Sequence, residues 1–155
     1  MKRLAFTLLS AIATTTLAHS DPAPKAAGGP LLAHYLAIQR SLAADTAQSV
    51  EPEARQLAAT ARKLAAAGGD KELLGSIADA ADHLQGTDLT ALRAGLKPLS
   101  RAVALYRERS GAAGADLYYC PMEKAYWLQA AGPTQNPYFG SSMLGCGEKA
   151  TAVTH

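Results

Sequence analysis

Leucine and alanine recur at helical spacing from residue 30 to about residue 106, and this periodicity restricts the fold more than any other feature of the sequence. Glycines and helix-capping residues interrupt the pattern. The predicted helices begin at Pro30, after Ser49, after Asp70, and after Thr87 or Asp88. Because the connections are short, we expect consecutive helices to be antiparallel neighbours. The sequence therefore predicts a mainly α fold, an up-and-down helical bundle of about four helices.

A proline lies inside the fourth predicted helix. Pro98 has no amide hydrogen to donate, and its ring collides with the preceding helical turn. We therefore expect a kink or a break near Leu96.

The composition changes abruptly at Gly111. Six of the nine aromatic residues of the chain lie between Leu117 and Gly140, whereas none lies between Gln48 and Leu105. This change predicts that the helical part is followed by a small irregular segment rich in cysteine, methionine and aromatic residues.

Short aromatic-rich runs in this segment, at residues 117–120 and 125–129, predict two short strands. Farther along the chain, Ser141 or Ser142 is expected to begin a last helical turn that includes Met143.

The first residues have the three-part layout of a secretory signal peptide. Lys2 and Arg3 form a basic start, an apolar run covers residues 4–13, and small residues follow. We place cleavage after Ala18, with Ser20 as the alternative. The sequence thus predicts export to the periplasm, with no membrane span after cleavage, because the apolar run is shorter than the roughly 20 residues that cross a bilayer.

Charge argues against two classes of partner. Of the 15 basic residues, Lys2 and Arg3 would be removed with the signal peptide. The mature chain would then have 13 basic and 13 acidic residues. A mature chain with a net charge near zero gives no electrostatic reason to bind nucleic acid or anionic lipid.

The predicted organisation is a single domain preceded by two short segments and followed by one. Its parts are a signal peptide (1–18), a flexible leader (19–29), the domain (30–148, divided into a helical bundle at 30–110 and the Cys/Met/aromatic segment at 111–148) and a loose tail (149–155).

The sulfur-bearing side chains of the last segment form the clearest chemical pattern. They are Cys120, Met122, Met143 and Cys146. Residues two apart share a face of an extended segment, and residues three apart share a face of a helical turn. Two such pairs would form a pocket of soft donors, which suits Cu(I) or Ag(I) better than Mg²⁺ or Ca²⁺. Methionine is a poor ligand for zinc, so the pattern favours copper.

A disulfide between Cys120 and Cys146 is the alternative that the residues leave open. An even number of cysteines in an exported protein is typical of disulfide pairing. The bond would close a segment of 27 residues, counted from 120 to 146. Closing a loop of that size stabilises a fold by roughly 3 kcal/mol in the chain-entropy model. Met122 and Met143 would then fill gaps in the core.

Several short motifs occur together and in order at this end of the chain. They are Cys-Pro-Met at 120–122, Trp-Leu-Gln at 127–129, Asn-Pro-Tyr-Phe-Gly at 136–140, and Met-Leu-Gly-Cys-Gly at 143–147. This combination resembles the C-terminal signature of domain of unknown function 3347. Such domains occur alone in exported proteins and at the C-terminus of CusB-type adaptors of heavy-metal efflux pumps. The resemblance extends from about Leu31 to Glu148, although its specific part is the last 30 residues.

The resemblance implies a metal context, in which Cys120, Met122, Met143 and Cys146 correspond to ligands and an efflux adaptor or another envelope protein is a partner. The sequence departs from the family pattern at two places that bear on this ligand assignment. Tyr119 stands where many members have a histidine, and the segment between the first two motifs is short.

Motifs of the common catalytic centres do not occur in the sequence, so it predicts a protein that is not an enzyme. The two functions that remain are a periplasmic Cu(I) or Ag(I) binding protein and a disulfide-stapled module that binds a partner protein through its aromatic end.

Overall fold

The computed structural model describes residues 29–154, so the predicted signal peptide and nearly all of the predicted leader lie outside the described residues. The described chain is mainly helical, as predicted. The elements are α1 (Gly29–Ala43), α2 (Val50–Ala66), α3 (Lys71–Asp82), α4 (Leu89–Ser110), β1 (Asp116–Cys120), β2 (Ala125–Gln129), a 3₁₀ turn (Gly140–Ser142) and β3 (Glu148–Lys149).

Each helix packs on the next one in sequence, and α4 also packs on β2. Within residues 29–154, no helix is both long enough and apolar enough to cross a membrane.

Side chains at the helix starts explain the observed boundaries. The Asp70 carboxylate accepts a hydrogen bond from the Leu73 amide at 3.1 Å, and the Asp88 carboxylate accepts one from the Thr90 amide at 2.9 Å. Each bond pairs an amide that has no partner inside the helix. Of the two predicted caps for the fourth helix, Asp88 is therefore the one used. Gly111, with φ 67°, ends this helix in the left-handed conformation that glycine adopts without strain.

Of the predicted kink or break near Leu96, the break does not occur, because α4 continues through Pro98 to Ser110. Pro98 is exposed, and so is Ala94, whose carbonyl would have accepted the missing hydrogen bond. Water can therefore pair with that carbonyl, which lowers the penalty of placing proline there.

One continuous core joins the helices to the sheet. Leucine and alanine side chains of all the helices are buried together with Trp127 and Tyr35, both fully buried. The Tyr35 hydroxyl contacts the Ser100 hydroxyl at 2.7 Å and accepts a hydrogen bond from the Leu128 amide at 3.1 Å. Burial raises the pKa of Tyr35 to about 12, so this hydroxyl stays neutral and links α1, α4 and β2.

The strands form an antiparallel sheet of order β2-β1-β3. The two predicted strands are present, with Tyr118 opposite Trp127 and Tyr119 opposite Tyr126. The third strand, in which Glu148 pairs with Tyr119, was not predicted from the sequence.

The last described residues, which lie in the predicted tail, form hydrogen bonds to the rest of the chain. The Ala150 amide donates to the Leu117 carbonyl at 2.9 Å, and the Thr154 carbonyl accepts from Arg101 at 3.1 Å. The Val153 amide donates to the Glu108 carboxylate at 3.0 Å. Because these bonds mostly use backbone groups of the segment, the side-chain pattern gives little sign of them.

Candidate metal centre

Cys120 and Met122 lie in different environments. Cys120 is the last residue of β1 and is fully buried, whereas Met122 is 61% exposed. The strand ends at Cys120, and residues 121–124 turn back towards β2. The extended arrangement that would place both side chains on one face is therefore not formed.

Met143 and Cys146 are held by a turn. The predicted helical turn through Met143 is not formed, because the 3₁₀ turn ends at Ser142. Instead, the Cys146 amide donates to the Met143 carbonyl at 3.0 Å, as in a β-turn. The ends of such a turn are neighbours, and both side chains are half-buried. The two sulfur residues are thus close for a reason other than the predicted one.

The pairing of β1 with β3 brings the cysteines together. Tyr119 pairs with Glu148, so the antiparallel register carries Gly147 and Cys146 to the end of β1 where Cys120 lies. In the described chain neither cysteine forms a disulfide. Desolvation, together with the adjacent Cys120, raises the pKa of the Cys146 thiol. The structure therefore places two thiols side by side, one buried and one half-exposed.

Asn136 fixes the loop that carries Cys146. Its side chain is fully buried, and its Nδ2 donates to the Cys146 carbonyl at 2.7 Å. Its Oδ1 accepts from the Tyr138 amide at 2.8 Å, and its own amide donates to the Leu144 carbonyl at 2.8 Å. One residue thus holds both ends of the loop and satisfies its own buried amide group, which would be costly to leave without partners.

Gly147 allows the chain to pass close to Trp127. A Cβ atom at this position would lie 2.3 Å from the indole ring and 3.1 Å from the Tyr119 carbonyl oxygen. Its φ of 129° is also one that other residues rarely adopt. Glycine is therefore required directly after Cys146.

The buried Gln129 connects the sheet to the same loop. Its Oε1 accepts hydrogen bonds from the Trp127 indole at 3.1 Å and from the Gln135 amide at 2.8 Å. Its Nε2 donates to the Pro133 carbonyl at 2.8 Å. The tryptophan and glutamine of the Trp-Leu-Gln motif therefore act as a pair that orients residues 133–135.

A clamp centred on Asp45 holds the other side of the loop. The carboxylate accepts from the Ser141 amide at 2.8 Å and from Arg93 at 2.5 Å. Arg93 also donates to the Pro137 carbonyl at 3.0 Å. Gly140 approaches so closely that a Cβ atom there would lie 1.9 Å from the carboxylate.

A scan against protein-family models and searches of curated proteins and of solved structures found no match to this chain. The resemblance to domain of unknown function 3347 therefore stays a prediction.

The donor set restricts which metal could bind. Two thiols and the neighbouring Met143 thioether are soft donors, which suit Cu(I) or Ag(I). Within residues 29–154, no group of three or more histidine, cysteine, aspartate or glutamate side chains is placed to hold a metal ion. His34 contacts Glu53 at 2.7 Å, between α1 and α2. The two adjacent thiols thus have the donor chemistry that suits a soft monovalent cation.

Sequence reasoning identified the cysteines but missed the residues that position them. The sequence assigns no positioning role to Asn136, Gly140, Gln129, Asp45 or Gly147. A buried amide cannot be distinguished from an exposed turn amide by residue type. All of these residues except Asp45 occur within the ordered motifs, and that occurrence was the one available signal.

Proposed function

We propose that the protein is a periplasmic binding protein for Cu(I) or Ag(I) that takes part in metal homeostasis or efflux. A helical scaffold, which we take to be an up-and-down bundle, carries the site at its C-terminal end. The observation that supports this proposal is the juxtaposition of the Cys120 and Cys146 thiols at the end of β1.

The cysteines are the principal ligands in this proposal. Two thiolates supply the negative charge that stabilises a monovalent cation, and both must lose a proton when the metal binds. Metal affinity should therefore fall as the pH falls. Met143 adds a third, neutral donor from the adjacent turn. Met122 is the weakest candidate, because most of its side chain is exposed.

A competitive titration tests this function. Reduced mature protein is titrated with Cu(I) against a chelator, in parallel with Cys120→Ser, Cys146→Ser, Met143→Leu and Met122→Leu. We expect stoichiometric binding that either serine variant abolishes, a moderate loss in Met143→Leu, and little change in Met122→Leu. Binding that is unchanged in both serine variants would overturn the proposal.

A second candidate is a disulfide-stapled module that binds an efflux adaptor or another envelope protein. The same juxtaposition supports it, because adjacent thiols can be oxidised to a disulfide in an oxidising compartment. A thiol count on protein purified from the periplasm separates the two functions. No free thiols, together with no tight Cu(I) binding after reduction, would favour the staple and a partner protein. Neither candidate is an enzyme.

A further inference from the structure

A cleft of about 370 Å³ lies between α4 and the end of the β1–β2 hairpin. Its basic lining residues are Lys97, Arg101 and Lys124, and its aromatic ones are Tyr119 and Tyr126. This volume falls within the range of small-molecule sites in proteins. Tyr119 precedes Cys120 in β1, so their side chains point to opposite faces of the sheet. The cleft is therefore separate from the thiol pair.

The cleft has an excess of positive charge. Lys97 is paired with Glu123 at 2.5 Å. Arg101 donates to the Thr154 carbonyl at 3.1 Å, which leaves its charge in place. Within residues 29–154, no carboxylate lies within ion-pair distance of Arg101 or Lys124. Glu123 is paired with Lys97, and the Glu108 carboxylate acts on Tyr126 from the Val153 side of the cleft. Among the described residues, Arg101 and Lys124 form no ion pair, so both can pair with an anion in the cleft.

Lys124 occupies an unfavourable backbone conformation at the mouth of this cleft. Its φ is 48°, in the left-handed region where glycine and asparagine are preferred. It ends the turn that connects β1 to β2, a place where glycine would be less strained. Strain of this kind is concentrated at ligand sites. A lysine at this position therefore makes the folded protein less stable than a glycine would, but it adds a cation to the cleft.

Two tyrosines supply an apolar wall beside the charges. The ring centroids of Tyr119 and Tyr126 lie 4.9 Å apart, with the planes at 47°. The Tyr126 hydroxyl contacts the Thr154 hydroxyl at 2.6 Å, which fixes the ring across the cleft. Both side chains are half-buried, so part of each ring remains open to a ligand.

We infer that this cleft binds a small organic anion, in which a carboxylate or phosphate group is joined to a flat apolar ring. The anionic group pairs with Arg101 and Lys124, and the ring packs on Tyr119 and Tyr126. This site requires no metal and goes beyond the proposed function.

The first experiment is an NMR titration of the ¹⁵N-labelled protein in its reduced, metal-free form. The probes are benzoate and phenyl phosphate, and benzyl alcohol and benzylamine are the uncharged and cationic controls. We expect saturable shifts of the Lys124, Ala125 and Tyr126 amides with the anions only. The anion that binds with the higher affinity shows whether the cleft prefers a carboxylate or a phosphate group. Equal shifts with benzylamine, or no saturable shift below about 10 mM for either anion, would overturn the inference.

Variants separate ligand binding from folding. Lys124→Gly should raise the melting temperature, since it relieves the backbone strain, yet weaken anion binding about tenfold, since it removes a charged hydrogen bond. Lys124→Arg should retain binding, and Lys63→Ala, on α2, is the control for a change in net charge. Arg101→Gln should weaken binding to a similar degree. Wild-type affinity in both Lys124→Gly and Arg101→Gln would contradict the proposed site.

Discussion

At the scale of single residues, the position of Cys146 depends on side chains that have no metal-binding chemistry of their own. Asn136 holds the carbonyl of Cys146, and Gly147 gives the chain room to pass Trp127. Residue type alone predicted the soft donors, because thiols and thioethers are recognisable in any sequence. It could not predict these supports, because an amide or a glycine acquires its role only from the groups that the fold brings next to it.

Replacing Asn136 with alanine should destabilise the protein. The substitution leaves the Cys146 carbonyl and the Tyr138 amide without partners, and we expect a loss of about 1–3 kcal/mol in the free energy of unfolding. Denaturant unfolding measures this loss. Gln135→Ala is the matched control, since the exposed side chain of Gln135 can be removed while its backbone bonds remain. Equal stability of the two variants would contradict the role assigned to Asn136.

Replacing Gly147 with alanine should also destabilise the protein, because the new methyl group would collide with Trp127. Forcing extra volume into a packed site costs about 1–3 kcal/mol, and the positive φ adds to it. Gly145→Ala provides the comparison, since a Cβ atom there meets nothing within 4 Å. In thermal unfolding, the melting temperature of Gly147→Ala should be well below that of Gly145→Ala. Similar melting temperatures would refute the predicted collision.

At the scale of elements, the helices were predictable because several local signals agree in each of them. Apolar periodicity, the Asp70 and Asp88 caps and the glycine at the end of α4 all indicate the observed boundaries. The third strand could not be predicted, since Glu148 and Lys149 are both exposed and polar. That strand exists through backbone pairing with β1, a contact distant in sequence. A break at Pro98 does not occur, because the effect of a proline depends on which face of the helix it occupies.

Replacing Pro98 with alanine should stabilise α4. The substitution restores an amide donor inside the helix and removes a residue of low helix propensity, so we expect a gain of about 1–3 kcal/mol. Pro52→Ala serves as the control, because Pro52 lies in the first turn of α2, where amides have no helical partner. Urea unfolding should show a higher midpoint for Pro98→Ala alone. A fall in stability would mean that proline is better suited to this position than alanine.

At the scale of the whole molecule, the C-terminal loop is attached to the helices by the Asp45 clamp. This clamp connects the residues after α1 with α4 and with the 3₁₀ turn, although these segments are far apart in the sequence. Asp45 has φ 55°, which aspartate tolerates better than most residues do. The overall fold class was predictable from local patterns, whereas this attachment of the loop required the complete fold.

The clamp should make stability depend on pH in acid. Hydrogen bonds from Ser141 and Arg93 lower the pKa of Asp45 from 3.8 to about 2. A depressed folded-state pKa means that the contribution is fully present above the unfolded value of 3.8 and is lost as the pH falls through about 2. The stability difference between wild type and Asp45→Asn should therefore shrink over this interval. Chemical denaturation at several pH values measures it, and a difference that stays constant would exclude the linkage.

The unequal exposure of the two thiols determines the order in which they react with a molecule or ion from solvent. Cys120 is closed off at the end of β1, whereas Cys146 is partly open on its turn. An alkylating reagent, an oxidant or a protein that delivers a soft metal ion therefore meets Cys146 first. Cys120 can join only in a second, intramolecular step. In the proposed Cu(I) or Ag(I) function, a metal ion that leaves would reverse this order, so its release would begin at the buried thiol and Cys146 would be the last ligand before transfer to a recipient.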